Sequence, residues 1–119
     1  RDAQESRGLG DVYKRQLENC SGGGARFDPG MLYYSPQIWC SDDTDAVERL
    51  EIQEGTALIY PLSTMGAHVS VCPNHSVGRI TPFETRGHVA LAGTFGYELD
   101  ITKLPEEERR VQFFLASEY

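Results

Sequence analysis

Short strand-like segments alternate with helix-like segments from residue 17 to the end of this chain. The strand signals lie at 17–20, 37–40, 68–71 and 95–99, and turn residues follow each of them. Helix signals lie at 45–55, at 86–93 and from Glu106 onward. This order predicts parallel strands joined by crossovers, and therefore an α/β fold. Because strand ends lead into polar loops, the pattern also favours part of a (β/α)8 TIM barrel, whose sites lie at those ends.

Local signals fix where the helices begin. Asp45 and Glu48 have the spacing of a capping box, with a carboxylate at the cap and a glutamate three residues on. That helix is expected to end at Gly55, and residues 76–85 are expected to form a loop. The residues at helical spacing in the first and last helices are Val47, Leu50 and Gln53, then Val111, Phe114 and Leu115.

The length predicts an incomplete barrel. A whole (β/α)8 barrel takes about 250 residues, whereas this chain has 119 residues. Residues 17–119 are therefore interpreted as one partial (β/α)8 domain. Residues 1–16 show neither helical nor strand periodicity, and 10–16 resemble translated sequencing-adapter sequence. They are interpreted as a non-native or disordered N-terminal segment.

Charge and composition exclude several classes of partner. The formal net charge is −7, so nucleic acid and anionic membranes are not expected to bind. The sequence contains no run of about 18 apolar residues and no signal-peptide pattern. Its three cysteines are irregularly spaced, which favours reduced thiols and a cytoplasmic location over a disulfide framework.

The most informative motif runs from Trp39 to Asp45 and holds three carboxylates within four residues. Helix capping explains Asp45 well, and an EF-hand is excluded because its glycine and final glutamate are missing. General acid/base catalysis beside an aromatic sugar platform, Trp39, is the functional interpretation. The glycine loop at 20–24 lacks the Gly-Lys-Ser/Thr of a phosphate loop. It is compatible either with a plain flexible loop or with one that lets a ligand hydroxyl approach the backbone.

Other chemistry-bearing residues give weaker signals. His68, Cys72 and His75 are residue types that bind zinc, but their spacing matches no recognised finger and no fourth ligand is evident. Packing is the default interpretation for them, and for Cys40, which has no assigned partner for nucleophilic catalysis. No metal and no cofactor are therefore expected.

A series of ordered motifs resembles the α-galactosidases of glycoside hydrolase family 36. The matching strings are CSGG, RFDPGMLYY, Trp39 with SDDTDA, YPLS, MGAHVS, PNH and FGYELD. They cover essentially the whole chain beyond residue 16.

The resemblance implies a retaining hydrolase of terminal α-galactosyl groups in melibiose, raffinose and stachyose. It implies that Asp42 is the acid/base, with Asp43 as the fallback, and that Cys20, Gly23 and Trp39 bind the sugar. The family nucleophile lies in a Lys-Trp-Asp-x-Asn-Arg motif that the 119 residues do not contain. We therefore expect the C-terminal part of the barrel, inactive by itself, from a longer enzyme that is a homo-oligomer.

Three alternatives stay open at this stage. The first is a related enzyme that transfers galactose or acts on α-N-acetylgalactosaminides. The second is a non-catalytic sugar-binding module, and the third is a zinc-binding module.

Overall fold

The structure, a computed structural model, describes residues 18–20, 22–24 and 27–118, with side chains at 112–116 and 118 left aside. The predicted N-terminal segment 1–16 lies outside these residues. The strands are β1 (Glu18–Asn19), β2 (Gln37–Ile38), β3 (Gly66–Ser70) and β4 (Thr94–Glu98). The helices are α1 (Ala46–Ala57), α2 (Phe83–Ala90) and α3 (Glu106–Glu118). Short 3₁₀ turns lie at Pro29–Tyr33, Leu62–Thr64 and Ile101–Lys103.

All described strand pairs are parallel, as the sequence predicts. Strand β1 pairs with β2, and β3 pairs with β4 from Gly66↔Thr94 to Ser70↔Glu98. A parallel bridge between Ile38 and Met65 links the two pairs, so the spatial order follows the order along the chain. Helices connect β2 to β3 and β3 to β4, as parallel pairing requires.

The core lies between strand β3 and helix α2. Ala67 and Val69 point to the same side of β3 and pack in one buried cluster with Phe83, Ala90 and Leu104. Residues that pack against this cluster include Phe95, Tyr97 and Val111. Burial of a side chain such as Phe83 contributes about 1.5–3 kcal/mol, so this cluster fixes α2 against the sheet. The opposite side of β3 presents His68 and Ser70, next to Gly96 and Glu98 of β4.

Two helix boundaries differ from the sequence prediction. Helix α1 continues past Gly55 to Ala57, because one glycine inside a helix costs only about 1 kcal/mol. Helix α2 begins at Phe83, inside the stretch 76–85 predicted to be a loop, because Phe83 is anchored in the core.

The buried face of α1 is also different from the expected one. Val47 and Leu50 are exposed, and the buried residues are Ala46, Arg49 and Gln53. Gln53 is the one residue of the expected series that is buried, and its amide donates to Val89 O in α2 at 3.1 Å. For α3, Val111 is half-buried against the core, while Phe114 and Leu115 lie outside the described side chains. Within the described residues, no helix has the length and apolar character needed to span a membrane.

Candidate functional site

The loops that follow β1 and β2 meet at the carboxyl edge of the sheet. Parallel strands bring their carboxyl ends to one edge, so the glycine loop at 20–24 lies beside the aspartate tract at 42–45. The thiol of Cys20 lies 3.9 Å from Asp42 Oδ1 and donates a weak hydrogen bond to it. The structure thereby brings together two of the residues that the resemblance assigns to the site.

Glycine is required in this loop for two reasons. Gly22, Gly23 and Gly24 have φ values of +71°, +68° and +80°, a region that other residues rarely adopt. A Cβ on Gly23 would also lie 3.0 Å from Asp42 N, and one on Gly24 would lie 3.0 Å from Cys40 O. The loop is therefore held against the backbone of the aspartate tract.

Asp45 caps helix α1, as predicted. Its Oδ2 accepts from Glu48 N at 3.1 Å and also pairs with the guanidinium of Arg79. Its side chain is 1% exposed, so its charge is used within the protein. The reciprocal half of the capping box differs, because Asp45 N donates to Asp43 Oδ1 at 2.9 Å.

Asp43 stabilises the turn that leads into the helix. The hydrogen bond from Asp45 N is the main cause that lowers the pKa of the Asp43 carboxyl. A hydrogen bond with Glu48 and the charges of Arg49 and Arg79 lower that pKa further, whereas burial opposes the shift. The same contact with Asp43 raises the pKa of Glu48. Asp43 is therefore held as an anion inside a network of structural contacts.

Asp42 differs from both neighbours because its carboxyl is exposed. Among the described residues, its hydrogen-bond partner is the thiol of Cys20. Of the three carboxylates in the tract, Asp42 is the most exposed, since Asp43 is half-buried and Asp45 is buried. Its geometry suits proton transfer, which requires a carboxyl that can reach a substrate atom.

Trp39 lies three residues before Asp42, at the end of β2, and is half-buried. Its ring centroid lies 4.8 Å from that of His68, and the guanidinium carbon of Arg49 lies 4.4 Å from the Trp39 ring centroid. Gly66 leaves space for Trp39, since a Cβ there would lie 3.1 Å from Trp39 Cε3. Trp39 is thus fixed by packing against His68, Arg49 and Gly66, and it keeps part of its surface accessible.

Sequence reasoning missed Arg49. This side chain is 4% exposed and donates to Ser41 O and Asp43 O, both at 2.6 Å. It also donates to Cys40 Sγ at 3.1 Å, which gives Cys40 a structural partner. The signal in the sequence is an arginine on the buried face of a helix, four residues after its capping aspartate.

The loop after β3 packs against the start of α1. Asn74 donates to Thr44 Oγ1 at 3.1 Å, and Arg79 pairs with Asp45. Cys72 lies in the same loop and contacts Thr81 O at 3.7 Å, while His68 packs on Trp39. Across the part of the chain that the structure describes, no three His, Cys, Asp or Glu residues are grouped as a metal ion requires.

Comparison with known proteins places the chain in a family. The family described as Melibiase matches residues 9–117. The chain belongs to the Melibiase family. Among curated relatives of this family, the α-galactosidase AgaA of Geobacillus stearothermophilus is 69% identical over 95 residues, which cover 80% of this chain and 13% of that protein.

Solved structures of Melibiase-family relatives agree with this placement. A variant of AgaA from Geobacillus stearothermophilus, a family 36 α-galactosidase in complex with raffinose, superposes with a TM-score of 0.78 and 64% identity, covering 84% of this chain and 14% of that one. The family 36 α-galactosidase AgaB of the same organism gives a TM-score of 0.82 with 58% identity, covering 98% of this chain and 16% of that one.

These matches confirm the predicted resemblance to the α-galactosidases of family 36. The chain spans less than a fifth of the length of each of these relatives.

Proposed function

We propose that this chain supplies the acid/base part of the active site of a retaining α-galactosidase. Residues 17–119 form the C-terminal part of its (β/α)8 catalytic domain, with the described strands as consecutive barrel strands. The observation that carries the proposal is the exposed carboxyl of Asp42 at the carboxyl end of β2, beside Cys20. Sites of such barrels are built at the carboxyl ends of the strands.

Asp42 acts first as an acid and then as a base. In its protonated form it donates to the glycosidic oxygen that leaves with the rest of the oligosaccharide. As the carboxylate it then accepts a proton from the water that hydrolyses the galactosyl-enzyme. Asp43 and Asp45 are not suited to this role, because hydrogen bonds and ion pairs within the protein already occupy them.

The nucleophile is a carboxylate from another part of the complete enzyme. A retaining pair requires two carboxyl groups about 5–5.5 Å apart. The Lys-Trp-Asp-x-Asn-Arg motif that carries the second one in this family is absent from the 119 residues. The chain by itself is therefore inactive.

The substrates are oligosaccharides that end in an α-galactosyl group, such as raffinose and melibiose. Raffinose is the ligand in the structure of the AgaA variant that this chain resembles. Cys20, Gly23 and Trp39 contact the galactosyl ring. Gly23 lets a sugar hydroxyl approach the loop backbone, and Trp39, three residues before Asp42, offers a partly exposed ring.

Activity is tested by exchanging residues 18–118 into AgaA in place of the matching segment. The hybrid enzyme is expected to hydrolyse raffinose and to release α-galactose before mutarotation, which proton NMR detects. Release of β-galactose would contradict a retaining mechanism. Release of N-acetylgalactosamine but not galactose from matched aryl glycosides would favour the alternative substrate.

The isolated chain is a second test. Residues 1–119 alone are expected to cleave no aryl α-galactoside and to melt without a cooperative transition. The reason is that exposed apolar side chains, including Tyr33, Leu58 and Ile59, are 75–87% accessible and the outer strand edges are open. A soluble product with cooperative melting and hydrolytic turnover would contradict the proposal that the nucleophile lies outside these residues.

A further inference from the structure

Each helix of the described residues carries an arginine as its fourth residue. These are Arg49 in α1, Arg86 in α2 and Arg109 in α3. Each one donates its Nε to a backbone carbonyl of the loop that enters its own helix. The acceptors are Asp43 O at 2.6 Å, Thr81 O at 3.1 Å and Leu104 O at 2.8 Å.

Helix electrostatics do not explain this position. A cation in the first turn of a helix lies near the positive end of the helix dipole, which is unfavourable by about 0.3–1 kcal/mol. The hydrogen bonds to the loop carbonyls offset that cost, since bonds from a charged donor are the stronger kind. The arginines therefore act on the loops that precede the helices.

Arg49 differs from the other two because its loop contains Asp42. Its Nη2 donates to Ser41 O and its Nε donates to Asp43 O, so it binds the carbonyls on both sides of Asp42. Its Nη1 also donates to Gly66 O at 3.3 Å, which ties the loop to the start of β3. Arg49 is 4% exposed, so these bonds are shielded from water.

We propose that Arg49 is a positioning residue for the acid/base Asp42. It holds the carbonyl groups of the residues before and after Asp42, while Gly23 packs against the backbone nitrogen of Asp42. These contacts restrain the backbone around Asp42, so its carboxyl is kept within reach of the leaving oxygen. This inference rests on the proposed function of Asp42.

Arg86 provides a matched control on the neighbouring helix. It is 7% exposed, donates to Ser70 O at 2.6 Å and to Thr81 O at 3.1 Å, and therefore holds the loop after β3. Its replacement removes a comparable set of buried hydrogen bonds but leaves the carbonyls beside Asp42 in place. A comparison of variants at Arg49 and Arg86 therefore distinguishes a general structural loss from an effect on acid catalysis.

The test uses the complete enzyme, with residues 18–118 exchanged into AgaA, and the variants Arg49→Met, Arg49→Lys, Arg86→Met and Asp42→Asn. The ratio kcat/KM, which reports the steps up to the galactosyl-enzyme, is measured on raffinose, whose leaving group needs a proton, and on a dinitrophenyl α-galactoside, whose leaving group does not. The concentration of folded enzyme is counted by the burst of dinitrophenol. Lysine restores only part of the function, because it lacks the planar fork that spans two carbonyls.

Arg49→Met is expected to lose about 10–100-fold more kcat/KM on raffinose than on the aryl galactoside, with Arg49→Lys between it and the unmodified enzyme. Arg86→Met is expected to lose activity on raffinose and on the aryl galactoside by the same factor. Proportional loss in Arg49→Met, where Asp42→Asn shows selective loss, would overturn the inference alone. Proportional loss in Asp42→Asn would overturn the proposed function and this inference together. If both Arg49 variants gave no folded enzyme, Arg49 would be a folding residue and the inference would also fail.

Discussion

A Cβ atom on Gly23 would lie 3.0 Å from the backbone nitrogen of Asp42 and 3.5 Å from its carboxyl carbon. The loop after β1 and the tract after β2 are therefore packed so closely that one methyl group cannot fit between them without a shift. This contact couples the conformation of the glycine loop to the position of the Asp42 carboxyl.

The first prediction compares alanine at two neighbouring glycines. Gly22 and Gly23 both have positive φ, but a Cβ on Gly22 meets nothing within 4 Å. Both Gly22→Ala and Gly23→Ala should lose about 1–2 kcal/mol of stability from the left-handed backbone. Only Gly23→Ala should also displace Asp42, which is expected to lower kcat on raffinose by up to about 100-fold in the complete enzyme. Equal kcat values in the two folded variants would show that the contact with Asp42 is not functional.

The second prediction concerns the cap of α1. Asp45→Ala removes the acceptor for Glu48 N and the partner of Arg79, and should lower the free energy of unfolding by about 1–3 kcal/mol. The control is Asp100→Ala, which removes an exposed cap at Thr102 N and should cost about 0.5 kcal/mol or less. The free energy of unfolding of both variants is measured by urea unfolding of the complete enzyme, with enzymatic activity as the signal. Similar midpoints for the two variants would be inconsistent with the buried role of Asp45.

The third prediction follows from the contact between Asp43 and Glu48. The raised pKa of Glu48 means that its contribution to stability is full below its ordinary value of 4.5 and is lost as the pH rises through the raised value. The lowered pKa of Asp43 acts in the opposite sense, and its contribution is lost only as the pH falls below its ordinary value of 3.8. Glu48→Gln should therefore gain in Tm relative to the unmodified enzyme as the pH rises from 4.5 through the raised pKa of Glu48.

Glu54→Gln removes one exposed carboxylate from the same helix and is the comparison for a change in net charge. The Tm difference of Glu48→Gln is expected to increase with pH more steeply than that of Glu54→Gln. If the Tm difference increased with pH equally in the two variants, the coupling of Glu48 to Asp43 would be contradicted.

Sequence patterns predicted the features that depend on neighbours along the chain. The cap at Asp45 and the strand at Ile38 are local, so spacing and residue type were enough to find them. The end of α1 was misplaced because Gly55 resembles a stop signal, although a glycine is tolerated inside a packed helix. The start of α2 was missed because Phe83 is fixed by contacts with β3, which no local pattern reports.

The residues of the candidate site were likewise predictable only where local sequence patterns decide their role. The aspartate tract was visible in the sequence, but the division of roles within it depends on Arg79 and Glu48, which bind Asp45 and Asp43. Arg49 was missed because its acceptors, Ser41 O and Gly66 O, are backbone atoms of other segments. Hydrogen bonds to backbone carbonyls leave no residue-type signal at the acceptor position, so only the folded chain reveals them.

The most direct measurement of the central claim is the product that Asp42→Ala forms with azide in the complete enzyme. If Asp42 is the acid/base, the galactosyl-enzyme still forms from a dinitrophenyl α-galactoside, and azide then attacks it where water is no longer activated. Two inversions give α-galactosyl azide together with restored turnover, and this is the expected result. Formation of β-galactosyl azide, the product of a single inversion, or no rescue by azide would contradict the assignment of Asp42.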